Sequence, residues 1–336
     1  MIALNKQSMI LSIIIPVYKV EEYVRKTLNS VFSEKWSENE VEVIVVNDGT
    51  PDKSMEIVNE FSSHPSLHII NQENQGLSCA RNTGIKAAKG KYVWFVDSDD
   101  SIEEGFLRKI LPVLRDSTEN VYMMMMRETY EDSGRERIIR FPDMKKPMKI
   151  NGCEVIWQEV RTNIKITPMQ KYILRRKFII DNELFFVSGI YHEDLEYAPR
   201  MLVATENVIM LPWVGYRYLW RSGGSITTNP QLKEKRLKSR ITIYQCFERL
   251  LCNSKDDKIR KAIALCKFNM AASIFNQLTL NDFREVTRIS SNAISINKFK
   301  NDTIRNLLFD RKVLHLGRMI LFLISPWFLK QIHKQL

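Results

Sequence analysis

The densest chemistry in this sequence is Asp97-Ser98-Asp99-Asp100. Asp97 and Asp99 are separated by one residue in an expected turn, so both carboxylates can converge on a single point. Three acids within four residues repel one another unless a cation neutralises them. A hard divalent cation takes oxygen ligands, and Mg²⁺ or Mn²⁺ commonly uses one or two carboxylates plus substrate phosphates. The same segment also reads as a solvated acidic turn that caps the next helix, because Ser98, Asp99 and Ser101 can all accept from free backbone N–H groups.

Two nucleotide-binding patterns are missing. A dinucleotide fold would carry G-x-G-x-x-G after its first strand, and that place holds Pro16-Val17-Tyr18-Lys19. No G-x-x-x-x-G-K-[ST] occurs either. The oxidoreductase and P-loop classes lose their support.

Short apolar, β-branched runs must position the acids. They fall at Leu11–Ile15, Val41–Val46, Leu67–Ile70, Tyr92–Val96 and Val121–Met126. Amphipathic stretches lie between them, at Val20–Phe32, Ser54–Phe61, Leu77–Ala88 and Glu104–Leu114. Continuous apolar strands separated by helices predict an α/β fold around a mostly parallel, doubly wound sheet. Ligands of such sheets sit beyond the carboxyl ends of the strands. Those ends hold Pro16-Val17-Tyr18-Lys19, Asn47-Asp48-Gly49-Thr50 and Asp97-Ser98-Asp99-Asp100. Further on, Glu131-Asp132-Ser133-Gly134 reads as a hairpin turn. From 171 to 230 the pattern is helix, loop, helix, then a strand near Gly215–Trp220.

Four segments together carry a family resemblance. They are Leu11-Ser-Ile-Ile-Ile-Pro-Val-Tyr18, Val45-Val-Asn-Asp-Gly-Thr-Pro-Asp-Lys-Ser54, Asn74-Gln-Gly-Leu-Ser-Cys-Ala-Arg-Asn-Thr-Gly-Ile85 and Phe95-Val-Asp-Ser-Asp-Asp100. In this order and spacing they strongly resemble family 2 glycosyltransferases of the GT-A fold. His192-Glu193-Asp194-Leu195-Glu196 looks like the family's acidic base motif, and Tyr216-Arg-Tyr-Leu-Trp-Arg-Ser-Gly-Gly-Ser-Ile226 like its closing motif. The resemblance spans residues 10–230.

The resemblance implies an inverting transferase that takes a nucleotide-sugar, with uridine favoured. Pro16 and Tyr18 would lie at the base, where an aromatic face suits a flat uracil ring. Lys19 stands where an asparagine is more usual. Asp48 would accept the uracil imide N–H. Asp97 would face the ribose and share the metal with Asp99, and Ser98 would line the donor site. The divalent cation, Mn²⁺ or Mg²⁺, would neutralise charge on the departing nucleoside diphosphate. Arg81 would support the aspartates or phosphates, or form a structural salt bridge. Asp194 is the first candidate for general base and Glu193 the second; both also suit the start of a helix. Arg221, beside the loop Ser222-Gly-Gly-Ser-Ile226, reads as a clamp that reaches the diphosphate.

Charge divides the chain. Residues 231–336 hold 21 Lys and Arg against 8 Asp and Glu, whereas residues 1–230 hold 29 against 31. We expect a catalytic domain over 1–230, with a donor-binding half at 1–126 and an acceptor half at 127–230, followed by a basic helical region at 231–336. The apolar stretch Met319–Leu329, flanked by Arg318 and Lys330, is too short to span a bilayer. It reads either as an interfacial helix or as a packed one. No stretch reaches the ~20 apolar residues of a membrane-spanning helix. Five cysteines, Cys79, Cys153, Cys246, Cys252 and Cys266, fit no zinc or disulfide spacing. These features together predict a cytoplasmic protein, with peripheral contact at the inner face of the plasma membrane through the basic end. The acceptor expected on this reading is a saccharide, lipid-linked at that membrane, with no role for nucleic acid. Two alternatives use other chemistry: a nucleotidyltransferase of sugar phosphates, and a non-catalytic protein that binds saccharides or anionic surfaces.

Overall fold

The computed structural model describes residues 9–141, 144–162, 165–222 and 230–277. Residues 223–229 and the Met319–Leu329 stretch lie outside the described residues. The chain divides into two compact units, Met1–Ser239 and Arg240–Leu336.

The first unit alternates strands and helices. Its first half runs β1 (Leu11–Val17), α1 (Val24–Phe32), β2 (Val41–Asp48), α2 (Ser54–Asn59), β3 (Leu67–Gln72), α3 (Leu77–Ala87), β4 (Tyr92–Phe95), β5 (Ser101–Ile102) and α4 (Phe106–Asp116). It continues through β6 (Val121–Tyr130), β7 (Glu136–Ile139), β8 (Met148–Ile150), α5 (Gly152–Thr162), β9 (Tyr172–Arg175), α6 (Arg176–Asp181), α7 (Asp194–Val203) and β10 (Val208–Trp220). The main sheet order is β3-β2-β1-β4-β9-β6-β10-β5, with β7 paired to β6 and β8 to β10.

From β3 to β4 the strands are parallel. Every residue of β1 is buried, as a strand covered on both faces requires. One face packs Leu11, Ile13 and Ile15 with Val24, Leu28 and Val31 of α1 and with Phe106, Ile110 and Leu114 of α4. The other face receives α3. Gly84 allows the close approach, because a Cβ there would lie 2.3 Å from Cγ2 of Ile14.

Beyond β4 the sheet becomes mixed. β9 runs antiparallel to both β4 and β6, while β10 is parallel to β6. The region after 171, expected to begin with a helix, begins with this strand. Tyr172, Ile173 and Leu174 are all fully buried, but three apolar residues have no readable period. β10 also starts well before Gly215. Pro212 suggests a break, yet the strand accommodates it at a register shift between Met210 and Val214.

α8 (Lys233–Asn253) carries the chain into the second unit, where α9 (Asp257–Gln277) follows. Lys267 of α9 is buried, pairs with Glu248 and lies 5.0 Å from the centre of the Tyr244 ring. Among the described residues no helix is long and apolar enough to cross a membrane.

Candidate active site

Parallel order brings the carboxyl ends of β1, β2 and β4 to one edge. Tyr18 follows β1 and is 42% exposed, with Lys19 Nζ 5.3 Å from its ring centre. Lys19 has φ +54°, and its amide donates to Thr50 Oγ1 at 2.8 Å. Asp52 accepts from Thr50, Ser54 and the Glu21 amide, so the loops after β1 and β2 are tied together. Pro16 is buried inside β1.

Asp48 is buried at the end of β2. It accepts from Gln72 Nε2 at 2.7 Å, the Gln75 amide at 2.9 Å and the Gly76 amide at 2.8 Å. A carboxylate offers about four acceptor positions, so roughly one remains.

The segment after β4 holds the acids. Ligand oxygens of Asp97, Asp99 and Asp100 lie within 4.8 Å of one another. Their surroundings differ. Asp97 Oδ1 accepts from Arg81 Nη2 at 2.6 Å, and its Oδ2 accepts from Gln170 Nε2. Asp100 is buried and accepts from Tyr216 Oη at 2.6 Å and from the Leu219 amide at 2.7 Å. Its carbonyl accepts from Thr27 Oγ1 at 2.6 Å. Asp99 faces Arg221, whose Nε is 3.1 Å from Oδ2. Ser98 is buried among them.

These contacts set the charges. Burial and the Asp97 charge push the Asp99 carboxyl up to about 6, against the pull of Arg221. Burial and the Asp99 and Asp97 charges hold the Asp100 carboxyl well above the usual range. The oxygens of Asp97, Asp99 and Asp100 are the donor type that a divalent cation takes.

Arg81 joins this segment to a second acidic one. It projects from α3, is 1% exposed, and donates Nη1 to Glu193 Oε1 at 2.5 Å as well as Nη2 to Asp97. The guanidinium lies 5.2 Å from the Phe186 ring centre and 5.9 Å from that of Phe95. Burial alone would lower its pKa; the charges of Asp97 and Glu193 outweigh that and raise it. Pairing with Asp97 and Glu193 fits both sequence readings of Arg81, support of the aspartates and a structural salt bridge.

Glu193 is thus engaged, while Asp194 begins α7 beside it, half-buried. Burial and the Glu193 charge lift the Asp194 carboxyl to about 7. Such a group takes and gives a proton near neutrality. The geometry brings Asp97, Asp99, Arg81, Glu193 and Arg221 into one connected set; Asp194 adjoins it through Glu193. Tyr18 and Asp48 stand at the neighbouring strand ends.

Sequence reasoning missed Gln170, whose backbone oxygen accepts from Trp94 Nε1 at 2.8 Å while its side chain holds Asp97. It also missed the anchoring roles of Asp52 and Asp100. Asp52 stood in a quoted motif, but Gln170 follows no readable signal.

Comparison with known proteins agrees with this geometry. The family model described as "Glycosyl transferase family 2" matches residues 12–183. An uncharacterized glycosyltransferase, EpsJ of Bacillus subtilis, is 29% identical over 255 residues, covering 71% of this chain and 70% of EpsJ. Glycosyltransferase GlyA of Streptococcus pneumoniae is 33% identical over 230 residues, covering 63% of this chain but 31% of GlyA. Among solved structures, Staphylococcus aureus TarS 1-349 in complex with UDP-GlcNAc superposes with TM-score 0.62 at 21% identity, covering 89% of this chain and 80% of TarS 1-349. At that identity the likeness carries the fold, and the fold is the GT-A arrangement expected from the sequence.

Proposed function

The chain belongs to glycosyl transferase family 2, and from that premise we propose that it moves a sugar from a UDP-sugar to a hydroxyl of a saccharide acceptor, with inversion at the anomeric carbon. Membership of this family favours glycosyl transfer over nucleotidyl transfer and over a purely binding role. The observation that carries the reading is the Arg81 bridge. It ties the Asp97 segment to the Glu193-Asp194 segment, which supports reading the first as the phosphate-facing acids and the second as the carrier of a base with its pKa raised to about 7.

On this reading the uracil ring lies on Tyr18, and its imide N–H takes the remaining acceptor position of Asp48. TarS, which shares the fold, has been crystallised with UDP-GlcNAc and with UDP, which supports a uridine nucleotide. Asp99, with Asp97 behind it, would hold Mn²⁺ or Mg²⁺; when bound, the ion supplies positive charge to the diphosphate. Arg221 swings from Asp99 to a phosphate oxygen as the donor enters. Asp194 accepts the acceptor's hydroxyl proton while that oxygen bonds to the anomeric carbon. The bond from that carbon to the diphosphate oxygen breaks, and UDP leaves with the electron pair. Glu193 stays on Arg81 and positions Asp194.

The acceptor is proposed to belong to a surface polysaccharide. TarS is named for N-acetylglucosaminyl transfer to poly(ribitol-phosphate), and the name of EpsJ gives no acceptor. The 21 basic residues of 231–336 suit an anionic, lipid-linked acceptor at a membrane. Loss of anionic-liposome binding on removal of 313–336 is expected; unchanged binding would end the membrane part of the reading.

The central test is thermal stabilisation by UDP, GDP and CDP, each with and without Mn²⁺, on the wild type and Asp99→Ala, followed by UDP release from UDP-sugars. UDP with Mn²⁺ should stabilise the wild type, and the substitution should remove the metal-dependent part. Indifference to every nucleotide at saturating concentration would sink the proposal.

A further inference from the structure

Tyr216, Tyr218 and Trp220 alternate along β10 and therefore share one face of the strand. The row passes from core to surface: Tyr216 is buried, Tyr218 half-buried and Trp220 37% exposed. The Tyr218 and Trp220 rings meet edge to face, with centroids 5.2 Å apart at 71°. Trp220 also pairs in register with Tyr130 of β6, and these two rings are nearly parallel, 7° apart with centroids at 5.9 Å. The Tyr130 and Trp220 rings stack on one another at the end of the β6–β10 pair, the Arg135 guanidinium lies 5.9 Å from the Tyr130 ring centre, and Trp220 carries the exposed aromatic surface.

Its neighbours are the acids. The Leu219 amide donates to Asp100, and Arg221 reaches Asp99, so Trp220 stands between two residues bonded to the acidic segment. Burial, then the charges of Asp100, Asp97, Asp99 and Asp194, hold the Tyr218 proton more tightly than usual, which places that hydroxyl in the field of both acidic segments. The nucleotide elements, Tyr18 and Asp48, end β1 and β2 on one side of β4; β10 lies on the other side, beyond β9 and β6. A donor seated at Tyr18 leaves this face for the second substrate.

Resting on the glycosyl-transfer reading, we propose that Trp220 and Tyr130, continued by Tyr218, form the acceptor subsite, a platform on which one pyranose ring of the acceptor saccharide stacks with its hydroxyl toward Asp194. The axial C–H groups of a β-pyranose make a weakly positive apolar face. Aromatic rings are negative on their faces, so the two surfaces match. The competing account is a cross-strand aromatic pair that only seals the strand ends.

Saturation-transfer NMR separates these accounts, with methyl β-D-glucopyranoside and N,N′-diacetylchitobiose as probes in the presence of UDP and Mn²⁺. The wild type should transfer saturation to ring C–H protons of at least one probe. Trp220→Tyr should keep that transfer, and Trp220→Leu, which fills space without a π face, should weaken probe affinity about three- to tenfold. Tyr130→Leu, which leaves Trp220 in place, should weaken it in the same direction and serves if the Trp220→Leu chain does not fold. Equal transfer in both leucine variants, or none from the wild type to either probe, overturns the proposal. UDP stabilisation of the same wild-type sample tells the two readings apart. Trp220-dependent probe contact without a UDP response removes the donor reading and leaves the platform; a UDP response without probe contact removes the platform alone.

Discussion

The Nε of Arg221 lies 3.1 Å from Oδ2 of Asp99, so an arginine occupies the position opposite the acid best placed to meet a cation. Its guanidinium also lies 5.2 Å from the Tyr23 ring centre, which steadies it there. On the proposed function, arginine and metal would compete for Asp99 until a diphosphate draws the arginine away. Arg221→Ala should bind Mn²⁺ about three- to tenfold tighter without nucleotide, since a lost partner of that kind is worth ~1 kcal/mol. The same variant should lose at least ~10-fold in turnover, as one charge-assisted bond to the diphosphate is removed. Titration of Mn²⁺ alone, followed by UDP-release kinetics, reads both effects. Weaker Mn²⁺ binding in the variant would contradict the competition.

Asp194→Asn should lower turnover by ~10²–10⁴-fold while UDP still stabilises the protein, because a positioned base acts on the acceptor rather than on the nucleotide. With the carboxyl pushed up to about 7, wild-type turnover should rise with pH through that value and flatten above it. A profile that is flat between pH 5 and 9 would remove Asp194 from the role of base.

The same shift has a stability sign. An unfolded aspartate ionises near ~3.9, so between there and about 7 the folded chain keeps a proton that the unfolded chain gives up. The contribution of Asp194 is fully present below the unfolded value and is lost as pH rises through the folded one. Asparagine, which never ionises, should therefore raise Tm by about 2–4 °C at pH 8, with the gain fading toward pH 4. Melting curves at both pH values decide the matter; a gain confined to low pH would reverse the assignment.

Arg81→Met should destabilise the chain by ~3–5 kcal/mol, because Asp97 and Glu193 would be left in a buried site without their shared cation. Arg81→Lys should recover only part of this, since an ammonium on a flexible stem lacks the planar fork that spans both acids. Denaturant titration of the two variants provides the comparison. If both match the wild type, the bridge contributes nothing to stability.

Gly84→Ala should cost ~1–3 kcal/mol by overpacking against Ile14. Ile14→Val should ease a part of that cost in the double variant, because it removes the Cδ1 atom that the new methyl group also meets at 3.1 Å. Strict additivity of the two changes in a double-mutant cycle would argue against direct contact.

How legible all this was depends on where each group finds its partners. β1, β2 and β4 announce themselves as apolar runs, and the polar residues that end them had to lie at one edge of a parallel sheet. Asp97, Asp99 and Asp194 could be named because acids at strand and helix ends carry recognisable motifs. Their hydrogen-bond partners could not. Arg81 and Glu193 are 112 positions apart, and nothing local says that one neutralises the other. Gln170 is a single amide before a four-residue strand, and the β10 strand hides behind Pro212. Charge state was similarly hidden, because the shifts of Asp99 and Asp194 follow from burial and from neighbours distant in sequence.

Asp100 carries one more consequence. Its carboxylate is fastened to Tyr216 and Leu219, and its carbonyl to Thr27, so the geometry of the acidic turn is written by segments on either side of it in the chain, the later ones 116 and 119 positions away. During synthesis the first four strands can assemble from near neighbours, whereas the turn stays without its later anchors until β10 arrives and closes a long loop. The anchored form of the acidic turn should therefore come late in the life of each new chain, after the ribosome has passed residue 219.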